Sequence, residues 1–375
     1  MAIRRMVDRL MVAMFLLVLA GYSAVSWANV ARDRSKLDSV RAAATWKTWE
    51  SVPPKLESLF TNHLAARDTL AAVYAAAKMT WCGTSPSPRV WVGANGFLFY
   101  NHNGDVAYMM ANDPDSHLYL EYWAHELSAR HLVLNDIGCK YLVVIVPNKQ
   151  TVYPELMPAT GRRDRPDVMD QFLNCERLNP NLRVLDLREP LRNAKNTDQI
   201  YLLTDTHWTA EGAHIAYSEI VRALSDWFPE LAPLPRKRFT RIPGRIDCGD
   251  LAIMVGLEGR LGEDMIYLEP GGRPRETGEA VPMEGPRFAH VKSLAYNKDG
   301  TTLPRAVMFC DSFGEFLTPW LSNHFSRFVS VGTYSFEKAL VAREKPQVVI
   351  QLMVERALEV KLDRKTLVTH ELIAR

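Results

Sequence analysis

The sequence predicts an α/β domain in which a mostly parallel sheet is covered by helices on both faces. Continuous apolar runs of four to eight residues, typical of strands buried on both faces, alternate with longer segments of helical spacing. The composition is that of an ordinary globular protein, with 47% hydrophobic and 23% charged residues among 375. This length is sufficient for one large domain and a smaller additional segment.

The predicted domain begins after a helix-breaking Ser85-Pro86-Ser87-Pro88 segment. An Asn-Gly pair between two apolar runs predicts a hairpin at its start. Strands are predicted at 90–93, 97–100, 141–146, 183–187, 306–309, 328–331 and 347–354. Helices are predicted at 115–137, 166–176, 209–227 and 313–325. Ligands of such sheets bind where the strands end, so residues that follow strands are the candidates for function.

The N-terminus predicts a membrane anchor. Arg4, Arg5 and Arg9 precede an apolar run from Leu10 to about Ala28, which is long enough to cross a bilayer as a helix. Basic residues before the run predict a cytoplasmic N-terminus and an exported remainder. The alternative is a cleaved signal peptide, with a cleavage site at Ser26-Trp27-Ala28. We therefore expect an anchor, a helical stalk, the α/β domain and a C-terminal tail at 1–30, 31–88, 89–356 and 357–375.

Charge and cysteine content exclude several classes of protein. The formal net charge is +2, which argues against a nucleic-acid-binding protein. Neither standard Gly-rich phosphate loop is present, and no Cys-x-x-Cys pair suggests a structural zinc site. We expect no cofactor and no metal. Of the five cysteines, Cys310 is expected to be a free core residue, and Cys139 and Cys175 are a possible disulfide pair.

Ser312 is the candidate nucleophile. It follows the predicted strand 306–309 within the segment Cys310-Asp311-Ser312-Phe313-Gly314, at the start of a predicted helix. The N–H groups of a helix N-terminus favour a developing oxyanion, and we expect the backbone of Ser312 and Gly314 to supply them. The alternative is that Asp-Ser is only a helix cap, since both residues are favoured there.

Asp205 and His207 supply a candidate base and the group that orients it. Histidine exchanges a proton near neutral pH, and a serine hydroxyl needs such a base to become a nucleophile. The spacing requires a loop, after which Thr209 is expected to cap the next helix. Two alternatives are an Asx-turn with a surface histidine and a metal site with His214 as a third ligand. A metal site would leave Ser312 unexplained.

Residues 232–304 are rich in proline, glycine and charge, and this composition predicts a solvated loop. A basic cluster lies within it, formed by Arg236, Lys237, Arg238, Arg241 and Arg245. The alternative to a plain solvated loop is an edge that steers an acidic polymer toward the site.

Four segments together resemble the SGNH-hydrolase-like domain of the alginate O-acetyltransferase family. They are Val92 to Tyr100, Val146 to Pro154, Asp205 to Ala213, and Asp311 to Gly314. The Asp-x-His element precedes the serine, whereas ordinary SGNH hydrolases have the reverse order. Cys310 departs from the glycine of the wider group. The resemblance covers about residues 89–356 and implies an SGNH-like three-layer α/β/α sandwich.

The resemblance further implies that Ser312, His207 and Asp205 form a catalytic triad that acetylates an exported bacterial polysaccharide through an acetyl-serine. The implied partners are the polysaccharide acceptor and a membrane-bound O-acyltransferase that supplies acetyl groups. The inner membrane is the implied anchoring site, and the domain is expected in the periplasm. Two alternatives are a carbohydrate acetylesterase with the same triad and a non-catalytic scaffold of an acetylation or export complex.

Three further residues are candidates for substrate binding. Lys149 and Tyr153 follow the strand 141–146, and Lys149 is expected to contact a substrate carboxylate or to lie in a solvated loop. Trp208 is expected to support the histidine loop, to stack on a sugar or to pack in the core.

Overall fold

The structure is a computed structural model that describes residues 67–101, 118–159, 168–270, 279–281, 293–297 and 300–360, with scattered positions between 21 and 38. The chain divides into two compact units, Met1–Ala77 and Lys78–Arg375. Among the residues so described, no helix is both long and apolar enough to cross a membrane. Most of the predicted anchor at 10–28 lies outside them.

The second unit contains the predicted sheet. In the described parts of the chain it has seven strands, ordered β4-β3-β11-β9-β10-β8-β7. The strands among the described residues are β1 (Val90–Val92), β2 (Leu98–Tyr100), β3 (Lys140–Val146), β4 (Arg183–Asp186), β5 (Phe239–Ile246), β6 (Glu263–Pro270), β7 (Glu279–Ala280), β8 (Ser293–Asn297), β9 (Arg305–Phe309), β10 (Arg327–Val331) and β11 (Val348–Val354). The run from β4 to β10 is parallel, whereas β8 pairs antiparallel with β10. The mostly parallel α/β fold is therefore confirmed.

The helices are α1 (Arg67–Cys82), α2 (Tyr119–Asp136), α3 (Lys149–Val152), α4 (Val168–Leu173), α5 (Arg188–Ala194), α6 (Ala210–Ser225), α7 (Asp250–Met254), α8 (Ser312–Leu321) and α9 (Lys338–Glu344). All four predicted helices are present, within a few residues of their expected ends. Every residue of β11 is buried, so both faces of the sheet are covered at its centre. The predicted hairpin is formed by β1 and β2, and Asn95 and Gly96 of its connection have φ of 55° and 80°.

The prediction of a solvated loop over 232–304 is wrong, because this region contains the strands β5 to β8 and the helix α7. Strands β5 and β6 form an antiparallel pair, with Phe239 opposite Pro270 and Ile246 opposite Glu263. The pattern was hidden because β5 is largely exposed and contains Pro243 and Gly244, which are rare in central strands but tolerated in a two-stranded ribbon.

Three arginines of the basic cluster in this region form ion pairs. Arg236 and Arg241 both pair with Glu211, and Arg245 pairs with Asp247 and Asp264.

The predicted Cys139–Cys175 disulfide is wrong, because all five cysteines are free thiols. Cys139 is buried, and burial raises the pKa of its thiol to about 12. Cys310 forms no disulfide and is a fully buried core residue, as expected.

Candidate active site

Ser312 lies at the first position of helix α8, immediately beyond the carboxyl end of β9. Asp311 caps the helix, since its Oδ1 accepts a hydrogen bond from the Phe313 N–H at 2.9 Å. Its other oxygen, Oδ2, accepts from the Tyr334 hydroxyl at 2.5 Å and from the Val354 N–H at 2.9 Å. Asp311 therefore joins the helix to the neighbouring strand β11 and leaves the exposed Ser312 side chain free to react.

Gly314 allows α8 to start this close to the strand. A Cβ atom at this position would lie 2.4 Å from Cys310 Cβ and 2.7 Å from its Sγ. The Gly314 N–H donates to the Asp311 carbonyl oxygen at 3.0 Å. The Ser312 N–H donates in none of the backbone hydrogen bonds among the described residues, and it is the donor available to an oxyanion. The expectation that Gly314 shares this task is thus replaced by a packing role.

Asp205 and His207 lie in a tight loop, as the spacing predicts. Tyr201 and Trp208 form an isolated antiparallel bridge across its base, and the Leu202 N–H donates to the His207 carbonyl oxygen at 3.0 Å. Thr209 caps α6, because its hydroxyl accepts from the Gly212 N–H at 3.3 Å. The loop therefore presents both side chains to the same side.

The loop brings His207 to Ser312 across 105 positions of sequence. His207 Nε2 lies 2.6 Å from Ser312 Oγ, and His207 Nδ1 lies 2.6 Å from Asp205 Oδ1. The imidazole ring is 4.7 Å from the Phe313 ring and 5.7 Å from the Phe316 ring, measured between centroids. Two aromatic side chains of α8 thus fix the orientation of the imidazole ring. The His207 side chain is 18% exposed to solvent.

Asp205 is arranged to stay ionised. Burial alone would raise the pKa of its carboxyl, but the hydrogen bond and charge of His207 and two backbone N–H donors lower it to about 2. Those donors are the N–H of Asp250, 2.9 Å from Oδ2, and that of His207, 2.9 Å from Oδ1. An ionised carboxylate here fixes the imidazole tautomer and stabilises an imidazolium.

Two further carboxylates hold the loop from outside. Asp250 Oδ1 accepts from the Thr206 N–H at 2.7 Å, and its Oδ2 accepts from the Thr206 hydroxyl. Glu263 accepts from the backbone N–H groups of Leu203 and Thr204, each at 2.7 Å. No sequence signal marks either residue, because they lie 45 or more positions after Asp205 in the segment predicted to be a loop.

Gly249 permits the approach of α7 to this loop. A Cβ there would lie 2.2 Å from the Thr204 carbonyl oxygen. That oxygen accepts from the N–H groups of Leu251 and Ala252, each at 3.1 Å. The first turn of α7 therefore holds the loop through its backbone as well as through Asp250.

Lys149 does not reach a substrate. It is only 3% exposed, and its Nζ donates to the carbonyl oxygens of Leu98 at 2.7 Å and Leu203 at 3.2 Å. Burial lowers the pKa of Lys149 to about 7, an effect that the negative charge of Glu263 partly opposes. The expected contact with a substrate carboxylate is replaced by a structural role, in which Lys149 joins the β1–β2 hairpin to the histidine loop.

Tyr153 and Trp208 are also structural. The Tyr153 hydroxyl accepts from the Ile200 N–H at 3.1 Å, and its residue is 5% exposed. Trp208 is fully buried, and its ring packs edge-on against Phe313 at 5.1 Å. Neither side chain faces a surface on which a sugar could stack, so the alternative of core packing holds for Trp208.

Three side chains of types that bind metals lie close together at the site, which bears on the alternative of a metal site. One donor atom from each of Asp205, His207 and Asp250 lies within 4.8 Å of the others. The carboxylate oxygens of this group already accept hydrogen bonds from His207, Thr206 and backbone N–H groups. His214 lies elsewhere, on α6 among the rings of Tyr217, Phe239 and Trp320. Hydrogen bonding within the loop therefore accounts for the cluster.

Comparison with known proteins agrees with the motifs. Residues 90–266 match the family model described as SGNH hydrolase-like domain, acetyltransferase AlgX. Over 97 residues the chain is 34% identical to the Pseudomonas putida protein named probable alginate O-acetylase AlgJ, covering 24% of each chain. Over 196 residues it is 26% identical to the Azotobacter vinelandii protein of the same name, covering 50% of this chain and 48% of that one. The chain thus spans at most about half the length of these relatives.

A solved structure supports the fold. Bacillus cereus PatB1 with a sulfonyl adduct superposes with a TM-score of 0.51 at 12% identity, covering 64% of this chain and 91% of that one. The resemblance drawn from the four motifs is confirmed by the family match, because residues 90–266, somewhat under half of the chain, are similar to the SGNH hydrolase-like domain of the acetyltransferase AlgX family model.

Proposed function

We propose that this protein transfers acetyl groups to hydroxyl groups of an exported bacterial polysaccharide through an acetyl-serine on Ser312. The observation that carries the proposal is the continuous contact from Asp205 through His207 to Ser312, with 2.6 Å at each step. The match of residues 90–266 to an acetyltransferase family model favours transfer over hydrolysis. The names of the relatives point to alginate as an acceptor of this class.

The reaction has two halves. In the first, Ser312 Oγ attacks the carbonyl carbon of an acetyl donor while its proton passes to His207 Nε2. The Ser312 N–H, at the N-terminus of α8, stabilises the tetrahedral oxyanion. The imidazolium then protonates the leaving group, which departs and leaves acetyl-serine.

In the second half, a sugar hydroxyl takes the place of the donor. Its oxygen attacks the acetyl carbon and its proton passes to His207 Nε2. The ester bond to Ser312 breaks, and His207 returns the proton to Oγ. Asp205 stays ionised throughout and stabilises the imidazolium in both halves.

The location and the donor are part of the proposal. The basic and apolar segment before residue 30 supports attachment to the inner membrane, with the domain in the periplasm. A compartment without a supply of acetyl-CoA requires a membrane-bound O-acyltransferase partner to deliver the acetyl group.

The test is transfer of acetyl from p-nitrophenyl acetate to an oligosaccharide, followed by mass spectrometry of the sugar and of Ser312. We expect acetylated sugar and an acetylated Ser312 peptide, both lost in Ser312→Ala. Ser225→Ala is the matched control, because its hydroxyl donates to the Arg222 carbonyl oxygen within α6. Acetate release without any acetylated sugar would identify an esterase. If Ser312→Ala left acetylation of the polymer in cells unchanged while deletion of the whole protein abolished it, the protein would be a scaffold.

A further inference from the structure

Phe316 is a partly exposed aromatic residue one helical turn beyond the nucleophile. It lies four positions after Ser312 in α8, and residues at this spacing are neighbours on the surface of a helix. Aromatic side chains of a helix point toward its N-terminus, which directs the Phe316 ring to the turn that carries Ser312. The centroid of this ring lies 5.7 Å from that of the His207 imidazole. Phe316 therefore borders the hydroxyl and its base together.

The two phenylalanines that contact the imidazole differ in their surroundings. Phe313 is 1% exposed, and its other face packs against the buried Trp208. Phe316 is 37% exposed, so solvent or a ligand that approaches the site meets its ring. Both rings are tilted by less than 40° from the plane of the His207 imidazole, at 38° for Phe313 and 34° for Phe316. Phe313 thus belongs to the core, whereas Phe316 forms part of the surface of the site.

Two reactions compete for an acetyl group on Ser312. Water attacks the acetyl carbon and gives a proton to His207 Nε2, the bond from that carbon to Oγ breaks, Nε2 returns the proton to Oγ, and acetic acid leaves. A sugar hydroxyl follows the same route, and the product is a sugar ester. Both reactions use the same base, the same oxyanion donor and the same Asp205 carboxylate. These groups cannot favour one reaction over the other, so another group must distinguish water from a sugar.

The Phe316 ring acts differently on the two attacking groups. A phenyl ring has no hydrogen-bonding group, so a water molecule beside it that donates to His207 Nε2 loses part of its remaining hydrogen bonding, which is unfavourable. A sugar hydroxyl belongs to a carbon frame whose C–H groups lie favourably against an aromatic face. The ring therefore disfavours water at the position from which it would attack, and it accommodates a sugar there.

We infer that Phe316 limits hydrolysis of the acetyl-serine on Ser312 and so directs the acetyl group to a sugar. The inference rests on the proposed function, because it assigns to one residue the choice between transfer and hydrolysis at the same site. Phe316 determines specificity in this arrangement, and it takes no part in moving a proton.

The test uses the full chain with p-nitrophenyl acetate in the absence of sugar. The burst of p-nitrophenol reports acylation of Ser312, and the slower release that follows reports hydrolysis of the acetyl-serine. We expect Phe316→Ala to raise the rate of hydrolysis about tenfold, because water at the site then regains its hydrogen bonds, and to change the burst rate by less than about twofold. With an oligosaccharide present, this variant should yield less acetylated sugar for each acetate released.

Two further variants serve as controls. Phe316→Leu keeps an apolar side chain of similar reach, so hydrolysis should rise by less than about threefold. Leu132→Ala removes an exposed apolar side chain from α2 and should change neither rate. Alanine is a favourable helix residue and Phe316 is partly exposed, so we expect the midpoint of urea unfolding of Phe316→Ala to stay close to that of the unmodified protein.

Several outcomes would overturn the inference. Unchanged hydrolysis in Phe316→Ala would show that the ring does not exclude water, and an equal rise in Phe316→Leu would show that apolar cover is not the cause. A burst rate and a hydrolysis rate that fall together would show that the ring only positions His207. If the unmodified protein acetylated no sugar while hydrolysis still rose in Phe316→Ala, the proposed transfer alone would be refuted. Absence of a burst in the unmodified protein would refute both, because no acetyl-serine would form.

Discussion

Substituting Gly314 by alanine tests how the nucleophile is positioned. Alanine is favoured over glycine inside helices by about 1 kcal/mol, so helix propensity alone predicts a more stable protein. The structure predicts the opposite, because the added methyl carbon would lie 2.4 Å from Cys310 Cβ and 2.7 Å from Sγ. Distances this short require α8 or β9 to move, and overpacking of this kind costs about 1–3 kcal/mol.

The same movement should impair the site. Ser312 begins α8, and its Oγ lies 2.6 Å from His207 Nε2. Displacement of a reacting group by about 1 Å can lower a rate roughly a hundredfold. We therefore expect Gly314→Ala to lower both the midpoint of urea unfolding and the rate of the p-nitrophenyl acetate burst, the latter by about 10- to 100-fold.

Substitutions at Cys310 provide the matched controls. Cys310→Gly removes the Cβ that the new methyl group would meet, so in the double variant it should recover most of the lost burst rate. Cys310→Ala removes only Sγ and should recover less, because the 2.4 Å contact remains. The explanation is refuted if Gly314→Ala is as stable and as fast as the unmodified protein. It is equally refuted if Cys310→Gly gives no more recovery than Cys310→Ala in double-mutant cycles.

Three further predictions concern the shell around the site. Asp250→Ala removes both acceptors of Thr206, which hold the histidine loop. In steady-state kinetics we expect kcat to fall about 10-fold or more while KM stays nearly unchanged. If Asp250 only stabilised the fold, kcat would stay unchanged. Lys149→Met removes the Lys149 donor of the buried Leu98 carbonyl oxygen, while the Leu203 oxygen keeps the Leu98 N–H, and it should lower the free energy of unfolding by about 1–3 kcal/mol in urea titrations. The folded pKa of Lys149, about 7, lies below its unfolded value, so the loss should grow between pH 7 and 10, and a constant difference would contradict this. The folded pKa of Asp205, about 2, also lies below its unfolded value. Ionised Asp205 should therefore add roughly 2 kcal/mol to the free energy of unfolding above about pH 4, and this contribution should decline as the pH falls toward 2. The free energy of unfolding of Asp205→Asn should lack this dependence on pH.

The central sheet could be predicted from the sequence because its strands are buried on both faces. The run 141–146 is continuously apolar, and 348–354 is interrupted only by Gln351, a pattern typical of strands buried on both faces. Strands β5 and β6 could not be predicted in the same way. They form a two-stranded ribbon in which β5 is mainly exposed and only three of the eight residues of β6 are buried, so apolar content does not distinguish the ribbon from a loop.

The three residues of the proposed triad could be predicted to interact, but the residues that support them could not. Ser312, His207 and Asp205 have side chains whose chemistry is recognisable in short motifs. Lys149 has the same kind of chemistry, and only its burial shows that it holds two backbone carbonyls. Asp250 holds the histidine loop from a distant segment, and such a contact leaves no periodicity or spacing in the sequence.

The two interpretations of the Asp311-Ser312 pair, as a helix cap and as a nucleophile, are not alternatives. A cap requires an acceptor at the residue before the helix, and Asp311 provides it through Oδ1. Because Asp311 satisfies the Phe313 N–H, the side chain of the next residue is not needed for capping and can face His207. The cap also fixes Ser312 at the first helical position, where its own N–H has no intrahelical acceptor. The Asp311 cap therefore also leaves the Ser312 N–H available to an oxyanion.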